Sequence, residues 1–274
     1  DMNLYNRYRR NVLGGVDTYW LSKPLRTAFQ HRHSASVSGG TEVFRYSLDI
    51  NAAMQPGVMK ESANNTKGVN FNMSYMKEKF IMRANVSLNE SNSSNSPYGS
   101  FSQYTRLNPY YIPEDANGNQ QKVLDNNTVS GQSTIITNPL YDATLGIKDL
   151  NNSLNMTTSL NLEYMVLRNL RITEQLSYTR GMAGTDKFLP ADHTSFELED
   201  DLTRKGSYFK STGEMTSWSS NLGINYNLVL GKHLFSTFAN WTISEDRNDY
   251  VNLSATGYPD AHMDDFIFGN KMET

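Results

Sequence analysis

Val69-Asn70-Phe71-Asn72-Met73-Ser74-Tyr75, followed after a short turn by Phe80-Ile81-Met82-Arg83-Ala84-Asn85-Val86-Ser87-Leu88, decides the fold. Apolar and aromatic side chains take every second position in both runs, and polar ones fill the gaps, with Ile81 the exception. A period of two belongs to a β-strand, whose successive side chains point to opposite faces. Two such runs joined by Met76-Lys77-Glu78-Lys79 read as an antiparallel hairpin with one apolar and one polar face.

The same alternation continues on either side. Upstream, His33, Ala35 and Val37 oppose Ser34, Ser36 and Ser38, and Phe44, Tyr46, Leu48, Ile50 and Ala52 oppose Arg45, Ser47, Asp49 and Asn51. Downstream, Leu154, Met156, Leu160, Leu162 and Tyr164 share one parity, and Leu170, Ile172, Leu176 and Tyr178 share another, broken by Glu174. Trp218, Leu222, Ile224, Tyr226 and Leu228 follow, and then Phe235, Ala239, Trp241 and Ile243. The pattern predicts an all-β, antiparallel up-and-down meander of about eight strands. Short turns at Gly39-Gly40-Thr41-Glu42, at 76–79, at 165–169 and at Val229-Leu230-Gly231-Lys232 alternate with long polar stretches at about 54–66, 91–152, 182–205 and 245–274. Short turns at one end and long loops at the other are the asymmetry of outer-membrane barrels. A soluble β-sandwich has no reason to confine its long loops to one end.

Composition supports a wall with water on one side and lipid on the other. The apolar share is 38% and the formal charge −3, yet the chain carries 16 Tyr and 12 Phe, and its mean hydropathy is −0.58. Disordered chains are poor in aromatics, whereas a barrel wall needs polar residues at half its positions. No run approaches the ~18 apolar residues of a spanning helix. There are no cysteines, hence neither disulfides nor thiolate metal sites. The near-neutral charge argues against nucleic acid. The chain starts at Asp1 without an export signal, so it is expected to be part of a longer exported protein, with residues 1–30 a connector into the wall and 31–274 the partial barrel.

Aromatics on the apolar parity mark two levels. Phe44, Tyr75, Phe80, Tyr164, Tyr226 and Phe235 lie near the short turns, and Tyr178, Trp218 and Trp241 lie at the far ends. Eight residues separate Trp218 from Tyr226, roughly 26 Å at ~3.3 Å per residue. Girdles at the two lipid–water boundaries have this placement, which makes outer-membrane lipid the expected environment.

Several blocks closely resemble one family. Thr18-Tyr19-Trp20-Leu21, Pro24-Leu25-Arg26-Thr27-Ala28-Phe29, Ser36-Val37-Ser38-Gly39-Gly40-Thr41 and Phe44-Arg45-Tyr46 are similar to the plug-to-barrel junction of SusC/RagA-type TonB-dependent transporters. Gly57-Val58-Met59-Lys60, Ser96-Pro97-Tyr98-Gly99-Ser100-Phe101, Arg106-Leu107-Asn108-Pro109-Tyr110-Tyr111 and Asn138-Pro139-Leu140-Tyr141 continue the match in order. So do Asp186-Lys187-Phe188, His193-Thr194 and Lys205-Gly206-Ser207-Tyr208. The resemblance implies a 22-stranded transmembrane barrel with an internal plug, energised by the TonB complex through an N-terminal region that this chain lacks. It implies import of glycans or oligopeptides with a SusD-like surface lipoprotein as lid; the chain by itself is not expected to be transport-competent. A surface adhesin or receptor built on the same wall is the alternative.

Within the long loops, Tyr98, Phe101, Tyr104, Tyr110 and Tyr111 form the candidate vestibule or lid contact, since aromatic faces with amide neighbours suit sugar rings. Packing of those rings onto the loop itself is the competing reading. His31 and His33, two apart on a strand near the presumed periplasmic mouth, lack a third ligand nearby. The carboxylates Glu197, Glu199, Asp200 and Asp201, and later Asp260, Asp264 and Asp265, read as solvated loops without cation-loop spacing. Glu174 requires either an interfacial position or a local bulge. No nucleophile motif, phosphate loop or carboxylate pair supports catalysis, so no enzyme activity, cofactor or metal is expected. A partial wall is expected to remain an open curved sheet, its first and last strands unpaired.

Overall fold

The computed structural model describes residues 2–129 and 132–274. Eight long strands make the wall: β1 (His31–Gly40), β2 (Phe44–Pro56), β3 (Ala63–Lys77), β4 (Phe80–Ser94), β7 (Lys148–Leu167), β8 (Leu170–Leu189), β9 (Ser207–Leu230) and β10 (His233–Thr256). Between β4 and β7 lie a helical turn α2 (Phe101–Tyr104), the hairpin β5 (Val123–Val129) and β6 (Gln132–Thr137), and a second turn α3 (Pro139–Asp142). A helix α1 (Met2–Leu13) starts the described chain, and the three-residue β11 (Lys271–Glu273) ends it.

The wall runs β1-β2-β3-β4-β7-β8-β9-β10-β11 with every neighbour antiparallel, the expected up-and-down meander, with nine strands among the described residues. The ninth is β11, too short to show a period in the sequence. Among the described residues β1 and β10 do not pair, and the sheet stays open as expected. The turns explain the tight ends. Gly231 has φ +60 in the two-residue connection from β9 to β10, and Glu78 has φ +51 between β3 and β4. Gly40 has φ +139, and a Cβ there would lie 2.1 Å from the carbonyl oxygen of Phe44. That position admits little besides glycine.

The long polar stretches are shorter than their composition implies. Strand β2 reaches Pro56 and β3 begins at Ala63, so the stretch at 54–66 contracts to a connection of six residues, 57–62. Likewise β4 and β7 shorten 91–152 to 95–147, β8 carries the wall to Leu189 instead of 181, and β10 carries it to Thr256. The reason is physical. Backbone ladders are indifferent to side-chain polarity, and toward these ends the apolar parity reads Lys67, Asn65 on β3 and Glu90, Asn92 on β4. Alternation fades while pairing continues.

Two packed clusters sit at the long-loop end. Phe188, Tyr208, Ala255 and Tyr258, with Phe266 against them, cap the apolar face of β8–β10. Trp20, Tyr104 and Leu140, with Leu21, Met59, Tyr98, Leu107, Tyr111 and Leu124 around them, unite the N-terminal segment with the loop between β4 and β7.

Candidate functional site

The wall has two chemically distinct faces, and a register that shifts only beside the β7–β8 turn, between Met165 and Leu167, keeps them separate among the described residues. On the polar face, Asn85 Nδ2 donates to Asn70 Oδ1 at 2.9 Å and Asn72 Oδ1 at 2.7 Å, and Asn72 donates to Ser47. Ser36 donates to Asp49, and the Ser177 and Ser219 hydroxyls meet at 2.7 Å. These amides and hydroxyls form a mostly neutral, hydrogen-bonding surface.

On the apolar face the lower aromatics form a staggered line. Phe44 stands opposite Tyr75. Tyr75 stands opposite Met82, two residues above Phe80. Phe80 faces Tyr164. Tyr164 faces Ile172, whose partner Ile224 lies two residues above Tyr226. Tyr226 faces Thr237, two residues above Phe235. The line drops six residues over the six steps from β2 to β10. For those rings to share one level, strands ~4.8 Å apart rising ~3.3 Å per residue must tilt by about 35°. Upper aromatics shift the same way: Tyr178 faces Trp218, whereas Trp241 faces Leu222, four residues lower. Tilted by about 35°, the Trp218–Tyr226 separation becomes a height of roughly 21 Å, close to the ~25 Å apolar band of a barrel. Trp218 and Trp241 are 39% and 67% exposed, on the apolar face.

Glu174 keeps its place on that face without a bulge, opposite Leu162 and Leu222. It accepts a hydrogen bond from Ser220 Oγ at 2.6 Å. The hydroxyl answers one carboxylate oxygen in surroundings that otherwise favour hydrocarbon. On a wall whose apolar face meets lipid, replacing Glu174 by leucine is therefore expected to stabilise the protein by up to about 2 kcal/mol. Urea unfolding from liposomes measures it; a loss of stability would mean that this carboxylate holds a partner.

Among the loop aromatics, the structure divides the expected patch. Tyr104 is 1% exposed and donates to the Tyr98 carbonyl, so it supports the loop from inside and presents no ring. Tyr98 and Tyr111 pack against the same cluster. Phe101 and Tyr110 are exposed. Trp20 Nε1 donates to the Asn108 carbonyl at 2.9 Å, Thr18 Oγ1 to the Tyr111 carbonyl, and Asn11 Nδ2 to the Tyr110 carbonyl. Arg7 pairs with the buried Asp125 at 2.8 Å, and the Tyr8 hydroxyl donates to the same carboxylate at 2.7 Å. Residues 2–30 thus lie with the long loops. His31 and His33 do as well: His31 pairs with Met54, at the opposite end of β1 from its short turn, which corrects their expected position near the short-turn mouth. Their rings meet at 3.1 Å between Nδ1 and Nε2. The acidic loops have local partners, Asp201 capping Thr203, Asp260 capping His262, Asp264 pairing with Lys148 and Glu197 with Lys122.

One junction had no visible signal in the sequence. Asp142, 5% exposed, receives the Thr194 backbone N–H at 2.9 Å and its hydroxyl at 2.6 Å, and His193 Nε2 approaches at 3.7 Å. His193 Nδ1 accepts the Ser195 backbone N–H, making the imidazole a cap for the short turn after Pro190. Burial pushes the His193 pKa below its ordinary value, with Asp142 opposing and Lys122 reinforcing. A depressed pKa in the closed state means the neutral ring is the one that fits. The contact is complete above the ordinary pKa near ~6.5 and weakens as pH falls through the lower, closed-state value. Amide exchange at Thr194 and Ser195, corrected for intrinsic rate, is expected to speed up between pH 7 and about 5. His193→Asn, which keeps an acceptor at the Nδ1 position, is expected to abolish that dependence.

No family model matches the sequence, and no curated protein matches it. Solved structures do. A chain of the RagAB peptide transporter superposes with a TM-score of 0.70 over 93% of this chain at 18% identity. The "closed-closed" and "open-open" states of the RagAB peptide importer give the same figures. This chain spans 28% of the matched chain. The likeness establishes the fold, part of an antiparallel barrel wall, and agrees at that level with the resemblance carried by the motifs.

Proposed function

We propose that this chain forms part of the wall of an outer-membrane, TonB-dependent importer. In this reading the barrel has 22 strands, residues 1–30 connect to a preceding plug, and the apolar face meets outer-membrane lipid. The observation that carries it is the combination of two faces kept apart by strand parity: staggered aromatics at two levels on one, and a hydrogen-bonded amide surface on the other. A wall with hydrocarbon on one side and a water-filled passage on the other needs both. The superposition on a peptide importer's wall supports the same assignment.

The transported solute is taken to be an oligopeptide or glycan, because both classes present the donors and acceptors that an amide-lined lumen can exchange for water. Phe101 and Tyr110, with the supporting Tyr98, Tyr104 and Tyr111, belong to the outer loops where a SusD-like lipoprotein lid or the incoming solute would make contact. Labelled oligopeptide and oligosaccharide pools offered to cells carrying the full-length protein test the reading. Accumulation that disappears when TonB is deleted is the expected result. Surface binding without accumulation, unaffected by TonB, would replace the importer with an adhesin.

A further inference from the structure

We infer that Arg45 and Arg83 together bind a carboxylate of the transported solute at the short-turn end of the polar face. The inference deepens the importer reading and rests on it. Strand parity puts both side chains on the amide surface with Asn72 and Asn85, away from the aromatics. Ser74 stands between them, opposite Arg45 on β2 and opposite Arg83 on β4. Two strand spacings separate the backbones, roughly 10 Å, so the two long side chains can close on one anion over Ser74. They border a recess of about 310 Å³ that lies across β2, β3, β4 and β7.

The recess carries charge of one sign. No carboxylate lines it, and neither guanidinium has an ion pair among the described residues. Acids elsewhere on this face are engaged. Glu163, two residues from the Asn161 that faces Arg83, holds Arg171 at 3.2 Å. Asp49, four residues above Arg45, accepts from Ser36 at 2.6 Å. Two uncompensated like charges repel, and an anion between them removes the repulsion.

The surroundings favour a carboxylate on a larger polar solute. A guanidinium is a planar fork that takes both oxygens of a carboxylate at once. Beside it the amides are already oriented: Asn85 Nδ2 donates to Asn70 and Asn72, which leaves its Oδ1 as an acceptor. An acceptor next to a cationic pair matches a solute with N–H or O–H donors close to its carboxylate. Acidic oligopeptides and uronate-bearing glycans share that chemistry.

The test is competitive uptake by cells that carry the full-length protein and TonB. An oligopeptide with glutamate side chains competes with its glutamine counterpart, and a uronate oligosaccharide with its carboxyl-reduced, neutral form. In at least one pair the acidic member is expected to show a KM lower by about tenfold. The pair that shows it identifies the source of the carboxylate. Arg45→Gln/Arg83→Gln is expected to abolish the preference and leave uptake of the neutral member unchanged, whereas Arg45→Lys/Arg83→Lys retains part of it. No charge preference in either pair, or a preference that survives the glutamine variant, overturns the inference. Equal loss of acidic and neutral uptake in that variant also overturns it, because the arginines would then hold another part of the protein. TonB-dependent accumulation without charge preference sinks only this inference; no accumulation of any of the four solutes sinks the importer reading with it.

Discussion

Val86→Arg is expected to block stable insertion of the protein into a bilayer, whereas Ser87→Arg, one residue along, leaves insertion nearly unchanged. Val86 lies on the apolar face between Phe71 and Thr158, six residues above Phe80 and four below Glu90. An arginine near the middle of a barrel's apolar band costs about 2–4 kcal/mol. That is a large part of the stability of a typical fold, ~5–15 kcal/mol. Ser87 faces the amide surface with Asn70 opposite, where a guanidinium stays hydrated. Cold-SDS gel mobility and urea midpoints in liposomes measure the difference. Equal destabilisation by the two substitutions would contradict the assignment of faces.

Trp20→Ala is expected to release the N-terminal segment from the loop between β4 and β7. The indole is 3% exposed, packs with Tyr104 and Leu140, and bonds the Asn108 carbonyl. Removing a buried tryptophan costs about 3–5 kcal/mol, here concentrated in one loop assembly above the wall. Limited proteolysis is expected to cut within 2–30 and 105–122 many times faster in the variant, while the wall strands stay protected. Protection unchanged at both segments would mean that other contacts, such as Arg7 with Asp125, hold the assembly without the indole.

The wall was legible because each strand was written with a period of two from Ala35 to Ile243, and because short turns carry residues such as Gly40 and Gly231 that accept positive φ. Strand ends were not legible, since Asn65, Asn92 and Glu90 continue the ladder without continuing the alternation. The β5–β6 hairpin lacked a signal for a similar reason: Val123-Leu124-Asp125-Asn126 is too polar to show a period. Turn α3 did have one, as Asn138 before Pro139 reads as a cap, and its side chain accepts the Leu140 N–H. Burial of Tyr104 follows the competing reading, in which the rings pack onto the loop, but its partner Trp20 was not legible because it lies far away in the chain. The Asp142–His193 junction has the same character: two loops meet that no local pattern relates.

Single cysteines placed in turn at positions 82 to 89 of β4, in a chain with no native cysteine, give the most direct test of the two-faced wall. Spin labels on them, in the liposome-embedded full-length protein, report collisions with oxygen, which concentrates in lipid, and with a water-soluble nickel chelate. Oxygen maxima at 82, 84, 86 and 88 with nickel maxima at 83, 85, 87 and 89 are the predicted result. Accessibilities that vary together, or that repeat every three to four residues, would contradict it.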